Sequence, residues 1–184
     1  LAKAYKWQQF KTPSRFYLDK SHPNIWLFEE LAVTFPEARF VGMERNPYAT
    51  VSSMIRHHTV TKRQHRWKEH PVPNPFLGIT EENLPAYTGY SFAMRCALRW
   101  RSHHKRMGNL LERFPDSLLV IQYERLMEET TEKLIEIQEF VKLAEPIQKP
   151  PVKSESKDKW QDNLSEQDIQ GIYQVTGIEP PSRP

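Results

Sequence analysis

Apolar and polar positions along the chain form short apolar runs that are separated by longer stretches with helical periodicity. Short apolar runs predict strands, and they lie at residues 15–19 (RFYLD), 39–43 (RFVGM) and 117–123 (SLLVIQY). The last run is almost continuously apolar, which is typical of a strand in a parallel sheet that is covered on both faces.

Stretches with apolar residues at helical spacing follow these runs. They predict helices over residues 22–35, 46–58, 91–114 and 128–143, and a last helix that starts at Ser165 with the capping box SEQD. Asn46 and Pro47 suit the N-cap and the first position of the second helix. Because strands and helices alternate, the pattern predicts an α/β sandwich built on a parallel sheet.

Residues 59–90 differ in kind from the rest of the chain. They contain four prolines, many charges and little periodicity, so we expect an irregular insertion that acts as a lid on the acceptor side. Its basic run TKRQHRWKEH is either a solvated lid surface or a contact for RNA or an acidic substrate. Its aromatic side chains either stack on a sugar or phenol or fill a small core of the lid: Trp67, Phe76, Tyr87 and Tyr90.

The composition narrows the class of protein. A chain of 184 residues with 27% charged and 11% aromatic side chains is expected to form a single globular domain. Its formal charge of +3 is too small to indicate a nucleic-acid binder. The one cysteine, Cys96, excludes an internal disulfide and fits the cytoplasm. No apolar run is long enough to cross a bilayer. Adjacent histidines, such as His103 and His104, point in different directions, so we expect no metal site.

Polar side chains follow the predicted strands, at the sheet edge where ligands bind. They are Lys20, Arg45 and the pair Tyr123-Glu124. Arg45 lies just before a helix start, whose N–H groups and macrodipole favour an anion. Ser53 lies about two turns into that helix, so a guanidinium and a hydroxyl can meet one phosphate. The alternative is that Arg45 pairs with Glu44 and that Ser53 only fills a helix face.

Four blocks of the sequence resemble the sulfotransferase family that uses 3′-phosphoadenosine-5′-phosphosulfate (PAPS). FPEARFVGMERNPYATVSSMI resembles the segment in which an Arg-Asp/Asn-Pro turn is followed by a serine eight residues after the arginine. LDKSHPN is similar to the lysine segment that precedes this turn in the family. LLVIQYERLMEETTEKLIEIQEFV is similar to the strand and helix that close the nucleotide pocket. KWQDNLSEQDIQGIYQVTG is similar to the tail that reaches the nucleotide. The resemblance implies a P-loop-NTPase-like three-layer α/β sandwich with a central parallel sheet.

The resemblance also implies which residues bind the donor. Arg45 and Ser53 correspond to the ligands of the 3′-phosphate of PAPS, and Lys159 adds a contact to the same phosphate. Lys157 competes for that last role, and a solvated loop lysine is the alternative for both. Tyr123 either packs or hydrogen-bonds near the adenine or is a core tyrosine at a strand end.

Lys20 and His22 are the catalytic residues that the resemblance implies. Sulfuryl transfer places charge on the leaving oxygen, which a lysine near the sulfate stabilises without a metal. His22 takes the position at which one branch keeps its general base, and an imidazole accepts a hydroxyl proton near neutral pH. Since Pro23 follows directly, a shift of one residue would make His22 only a turn residue. The expected acceptor is a hydroxyl of a carbohydrate, a small molecule or a protein tyrosine.

The glycine-rich phosphate loop that cradles the 5′-phosphosulfate in this family has no counterpart among the six glycines of the chain. Either the segment begins after this loop in a longer protein, or the chain is a degenerate relative without activity. We expect the first, a single partial domain over residues 1–184 that lacks the first strand and this loop and that is inactive by itself. Two other functions stay open, a P-loop-like nucleotide kinase and a non-catalytic module that binds a nucleotide or an anionic polymer. The cytoplasmic location also has an alternative, since Golgi-type members start with an anchor that a truncated chain would not show.

Overall fold

The structure is a computed structural model, and it describes residues 17–149 and 159–182. In these ranges the strands are β1 (Phe40–Glu44) and β2 (Leu118–Gln122). The helices are α1 (Phe28–Thr34), α2 (Pro47–Arg56), α3 (His58–His65), α4 (Leu84–Tyr87), α5 (Phe92–Arg113), α6 (Tyr123–Glu128), α7 (Thr130–Val141), α8 (Trp160–Asn163) and α9 (Glu166–Thr176). Short 3₁₀ turns occupy His22–Trp26, Trp67–Glu69 and Pro75–Leu77.

The two strands pair in parallel, and Glu44 at the end of β1 lies opposite Gln122 at the end of β2. The long helix α5 packs against this pair. Gly42 permits the close approach, because a Cβ at this position would lie 2.7 Å from Sδ of Met107 on α5. The described residues form a two-stranded sheet, so the structure shows a mixed helix–strand fold with a small parallel sheet.

The strand predicted at residues 15–19 is wrong for the part that the structure describes. Its first two residues lie outside the described ranges, and residues 17–21 have no regular structure. The carboxylate of Asp19 accepts hydrogen bonds from Ser21 Oγ at 2.8 Å and from Asn24 Nδ2 at 2.7 Å. A side-chain acceptor at this spacing competes with extended backbone, so the chain turns into the following 3₁₀ turn.

The helices predicted from periodicity are confirmed with shifted ends. α2 and α5 lie within the predicted ranges 46–58 and 91–114, and α9 begins after Ser165, which forms the predicted capping box. The helix predicted over 22–35 begins instead as a 3₁₀ turn, and only its second half is α1. The helix predicted over 128–143 is α7, which the short helix α6 precedes.

Residues 59–90 are more regular than their composition predicts. They include most of α3, all of α4 and two 3₁₀ turns. Trp67 and Tyr87 are buried in the main core, the hydrophobic cluster to which α2, α5 and α9 contribute. Gln64 donates a hydrogen bond of 2.6 Å to the Tyr87 hydroxyl. These two rings therefore fill the core and do not stack on a substrate. The other two aromatic rings of the segment are partly buried against the same core.

The 3₁₀ turn Pro75–Leu77 is fixed against α5. Gly78, which ends the turn, has a φ of 75°, and a Cβ there would lie 2.3 Å from the carbonyl carbon of Leu98. Glycine alone tolerates both the left-handed backbone and this contact. Ser102 Oγ also donates a 2.7 Å hydrogen bond to the carbonyl oxygen of Pro75. The turn therefore holds Phe76 at a defined place beside α5.

The C-terminal segment closes the core over α2. Trp160 is buried, and its ring centre lies 5.2 Å from that of Tyr48. The Tyr48 hydroxyl donates a 2.7 Å hydrogen bond to the carbonyl oxygen of Ile178. These contacts hold α8, and with it the preceding Lys159, beside α2.

Candidate functional site

A cleft of about 710 Å³ opens at the edge of the sheet where both strands end. We call it the main cleft. Its walls come from the end of β1, from α2, α3 and α5, and from the turns His22–Trp26 and Pro75–Leu77. Its charged and polar lining includes Glu44, Arg45, Ser53, His57, Arg63, Arg99, His103 and His104. The predicted phosphate residues Arg45 and Ser53 thus line the same cleft as side chains of the long helix α5.

A smaller cleft of about 360 Å³ lies between α2 and α8. Arg45, Ser53 and Lys159 all line it, although Lys159 comes from a distant part of the chain. Arg56 also lines it and donates a 2.8 Å hydrogen bond to Oδ1 of Asn163 on α8. The structure therefore brings together three of the predicted donor-binding residues. Two arginines, a lysine and a hydroxyl are the donors that suit a phosphate.

Two aromatic residues position Arg45. Its Cζ lies 4.5 Å from the centre of the Tyr123 ring, and a cation–π contact of this kind contributes about 1 kcal/mol. Nε1 of Trp100 donates a 2.9 Å hydrogen bond to the backbone carbonyl oxygen of Arg45. Tyr123 is half-buried and is not among the residues that line either cleft. Its ring supports Arg45, and its role near the adenine stays a prediction.

The N-terminus of α2 already has a carboxylate beside it. Oε1 of Glu124 accepts hydrogen bonds from the backbone N–H of Asn46 at 3.0 Å and from its Nδ2 at 2.8 Å. Oδ1 of Asn46 accepts another from the N–H of Ala49 at 2.8 Å. The N–H groups of Asn46 and Ala49, at the helix start that was predicted to favour a phosphate, thus already donate to protein acceptors. A phosphate beside Ser53 must therefore be held mainly by side chains.

A histidine–glutamate pair that the sequence analysis missed lines the main cleft. Nδ1 of His104 lies 2.9 Å from Oε1 of Glu44, and Nε2 of Gln122 donates a 2.8 Å hydrogen bond to the other oxygen. Because a carboxylate only accepts, Nδ1 carries the proton, and Nε2 is an acceptor when the imidazole is neutral. Glu44 thus has partners of its own, which weakens the alternative in which it pairs with Arg45. The two residues are 60 positions apart in the sequence, so no local pattern predicted that they pair.

Trp100 connects this pair to Arg45, one of the predicted phosphate residues. Its ring is stacked on that of His104, with centroids 4.8 Å apart and an interplanar angle of 10°. The same indole donates its N–H to the carbonyl oxygen of Arg45. One side chain of α5 therefore sets the positions of both Arg45 and His104.

Lys20 and His22, the predicted catalytic residues, lie on the segment before α1. Lys20 is exposed, does not follow a strand, and is not among the residues that line either cleft. The side chain of His22 lies outside what the structure describes, whereas Pro23 and Ile25 of the same turn line the main cleft. Nε of Arg106 holds this turn on α5 through a 3.1 Å hydrogen bond to the carbonyl oxygen of Ile25. The roles of Lys20 and His22 stay predictions.

Within residues 17–149 and 159–182, no three His, Cys, Asp or Glu side chains are grouped so that they could hold a metal ion. No helix of these ranges has the length and apolar character needed to cross a membrane.

A family comparison identifies the class of this chain. The model of a sulfotransferase family matches residues 2–146, which is most of the chain. The match places the chain in the class of transferases. More narrowly, the chain belongs to the sulfotransferase family, as the resemblance predicted. Lys159 lies beyond the matched range, and its rival Lys157 lies outside the described residues. No curated protein sequence matches the chain.

A solved structure supports the same fold. The sulfotransferase domain from the curacin biosynthetic pathway is similar to this chain, with a TM-score of 0.62 and 17% sequence identity. The alignment covers 98% of this chain and 69% of that domain. At this identity the likeness shows the fold alone, which is that of a sulfotransferase domain.

Proposed function

We propose that the chain moves a sulfuryl group from PAPS to a hydroxyl acceptor, and that Arg45, Ser53 and Lys159 bind the 3′-phosphate of the donor. The smaller cleft carries the proposal, since Lys159, from a distant part of the chain, lines it together with Arg45 and Ser53. A phosphate monoester has nearly two negative charges at neutral pH. Two cations and a neutral hydroxyl donor match that charge and its oxygen acceptors.

In the proposed reaction the acceptor oxygen forms a bond to sulfur while the bond from sulfur to the 5′-phosphate oxygen breaks. The hydroxyl proton passes to a general base. The leaving group is 3′,5′-adenosine bisphosphate (PAP), whose phosphate oxygen takes up the developing negative charge. A nearby cation stabilises that charge, and Lys20 is the residue to which the family resemblance gives this task.

His104 is the general base that the main cleft supports. Its Nδ1–H donates to Glu44, which leaves Nε2 to accept the proton and a carboxylate to stabilise the resulting imidazolium. His22 is the competing base from the sequence. With 4-hydroxybenzoate as acceptor, we expect His104→Gln to lower the rate of sulfate transfer at least about 100-fold, and His22→Gln to change it little. The opposite ranking would assign the base to His22.

The donor site is tested by calorimetric titration with PAP, 5′-AMP and ADP. We expect PAP to bind at least about tenfold more tightly than the other two, because a bidentate charged contact contributes about 1.5–3 kcal/mol. Arg45→Ala should remove this preference. Arg66→Ala is the matched control, because Arg66 is exposed, pairs with Glu69 and lines neither cleft.

The same titration separates the other functions. A nucleotide kinase predicts tighter binding of ADP than of PAP and a requirement for Mg²⁺. A non-catalytic anion-binding module predicts salt-sensitive binding without preference for a 3′-phosphate. Equal affinities for PAP and 5′-AMP in the wild-type chain would contradict the proposed donor site.

A further inference from the structure

The main cleft contains a second cationic group that the donor proposal does not use. Arg99 on α5 and Arg63 on α3 line the main cleft, and neither lines the smaller cleft. Both guanidinium groups lie over the ring of Phe76, with their Cζ atoms 4.4 and 5.1 Å from its centre, respectively. We call Arg63 and Arg99 the arginine pair. It lies in the part of the cleft that α3 and the turn Pro75–Leu77 enclose.

Arg99 is buried with unused hydrogen-bonding capacity. The residue is 3% exposed, and its Nε and Nη1 have no hydrogen-bond partner among the described residues. Desolvating an unpaired cation costs free energy, and the contact with the Phe76 ring offsets only part of that cost. The protein thus keeps a desolvated guanidinium beside a cleft, and a bound acceptor group would stabilise it.

The arginine pair is not neutralised by a carboxylate of the cleft. Burial, and then the nearby Arg63, lower the pKa of Arg99 to about 10, so Arg99 stays charged at neutral pH. Glu44 is the one carboxylate among the described residues that line the cleft, and His104 and Gln122 engage it. An anion between the two arginines would remove their mutual repulsion.

The arrangement around the arginine pair is built into the fold. Phe76 belongs to the turn that Gly78 and Ser102 fix against α5. Nε2 of His103 also lies 3.1 Å from the carbonyl oxygen of Phe76. Arg99 comes from the same helix, so its position relative to the ring is set before a ligand arrives. Preorganised donors of this kind lower the entropic cost of binding.

We propose that Arg63 and Arg99 bind an anionic group of the acceptor, a carboxylate or a sulfate. The enzyme would then sulfate a hydroxyl on a molecule that already carries negative charge. The identity of the reaction rests on the proposed function, whereas the charge of the acceptor rests on the arginine pair. The anion gains charge-assisted hydrogen bonds and satisfies donors of Arg99. A neutral acceptor would leave those donors desolvated and unpaired.

Inorganic sulfate is the probe, titrated calorimetrically into the chain with the donor site saturated by PAP. We expect millimolar binding in the wild type and a loss of about tenfold in Arg63→Gln, since one charged contact disappears. Arg66→Gln is the control and should match the wild type. Arg99→Gln should weaken sulfate binding at least as much. Because Arg99 is buried, its substitution can also disturb the fold. Arg63 is exposed, so Arg63→Gln is the variant that keeps the fold. Equal affinity in wild type and Arg63→Gln, or no sulfate binding, would overturn the proposal.

The sulfate of the donor is the other source of the same chemistry. An acceptor site predicts that Arg63→Gln binds PAPS and PAP as the wild type does. A loss confined to PAPS would assign the arginine pair to the donor and overturn the acceptor proposal.

The sulfate titration is repeated on Arg45→Ala without nucleotide, where the proposed phosphate site is disabled. Sulfate binding that still depends on Arg63 would support the anion site by itself. If the wild type then failed to bind PAP, the sulfotransfer proposal would fail while the anion site stood. Sulfate binding that no longer depends on Arg63 would refute the anion site alone.

Discussion

Nδ1 of His104 on α5 lies 2.9 Å from Oε1 of Glu44 at the end of β1. This contact joins the long helix to the edge of the sheet at the residue that precedes Arg45. A proton acceptor and the proposed phosphate ligand therefore occupy one wall of the main cleft. The pair orients the imidazole, since a carboxylate can accept only from a protonated ring nitrogen.

Glu44→Ala is expected to change the tautomer of His104. In the wild type nearly all neutral His104 should carry its proton on Nδ1, and in the variant this population should fall below about half, because no carboxylate selects it. Long-range ¹H–¹⁵N spectra of the imidazole nitrogens measure the change, with His104→Gln identifying the signals. His70, which does not line the main cleft, should keep its pattern. An unaltered His104 pattern would show that the pair does not select the tautomer.

Substitutions at Tyr123 distinguish a support for Arg45 from a contact with the nucleotide. Tyr123→Phe keeps the ring that lies 4.5 Å from the Arg45 guanidinium, so PAP affinity should stay within about twofold. Tyr123→Ala removes the ring and should weaken PAP about fivefold, the equivalent of about 1 kcal/mol. Calorimetry provides both affinities. A large loss in Tyr123→Phe would instead assign the hydroxyl to the nucleotide.

Two glycine substitutions of opposite sign test the packing of the turn on α5. Gly78→Ala should lower the free energy of unfolding by about 3 kcal/mol, because its Cβ would overlap the backbone of Leu98 and its φ is 75°. Gly108→Ala on α5 meets nothing within 4 Å and should raise it by about 1 kcal/mol. Urea unfolding measures both. Wild-type stability in Gly78→Ala would contradict the close approach.

Glu29 makes stability depend on pH in the acid range. The hydrogen bond from Arg106, with its charge and a 2.8 Å bond from Nη1 of Arg113, lowers the pKa of Glu29 below its ordinary value. A lowered folded-state pKa means that the stabilisation is present above about pH 4.5 and is lost as the pH falls through the folded-state value.

Glu29→Gln should therefore cost about 1 kcal/mol at pH 7 and little at pH 3. Urea unfolding of both proteins across this range measures the difference. A cost that does not shrink toward acid pH would mean that the ion pairs contribute nothing.

Cys96 is expected to be unreactive while the chain is folded. The residue is fully buried, and burial raises the pKa of its thiol to about 12, so almost no thiolate is present at pH 8. Ellman's reagent should therefore react only as fast as the chain unfolds. In guanidinium chloride one thiol per chain should react at once. Rapid reaction of the native chain would show that α5 opens locally.

The helices that the sequence predicted could be recognised because apolar spacing and capping residues are local signals. Ser165 caps α9 within its own first turn, and Asn46 and Pro47 start α2. The first predicted strand was wrong because Asp19 accepts hydrogen bonds from side chains further along the chain. The alternation of apolar residues in this segment contains no information about those contacts. The sequence left open whether Tyr87 stacks on a substrate or fills a core, because its burial depends on packing against residues from other elements, such as Gln64.

The sequence by itself determined the family, and it singled out Arg45 and Ser53 as the proposed phosphate residues, because a turn and a helix fix their spacing locally. The family resemblance also named Lys159, but tertiary structure alone decided that it lines the same cleft and which other side chains lie nearby. Lys159 reaches the smaller cleft because Trp160 packs on Tyr48. His104 meets Glu44, and Arg99 meets Arg63 over Phe76, because α5 packs against β1 and the turn Pro75–Leu77. Such pairings depend on side chains that are remote in the chain, and no local pattern encodes them.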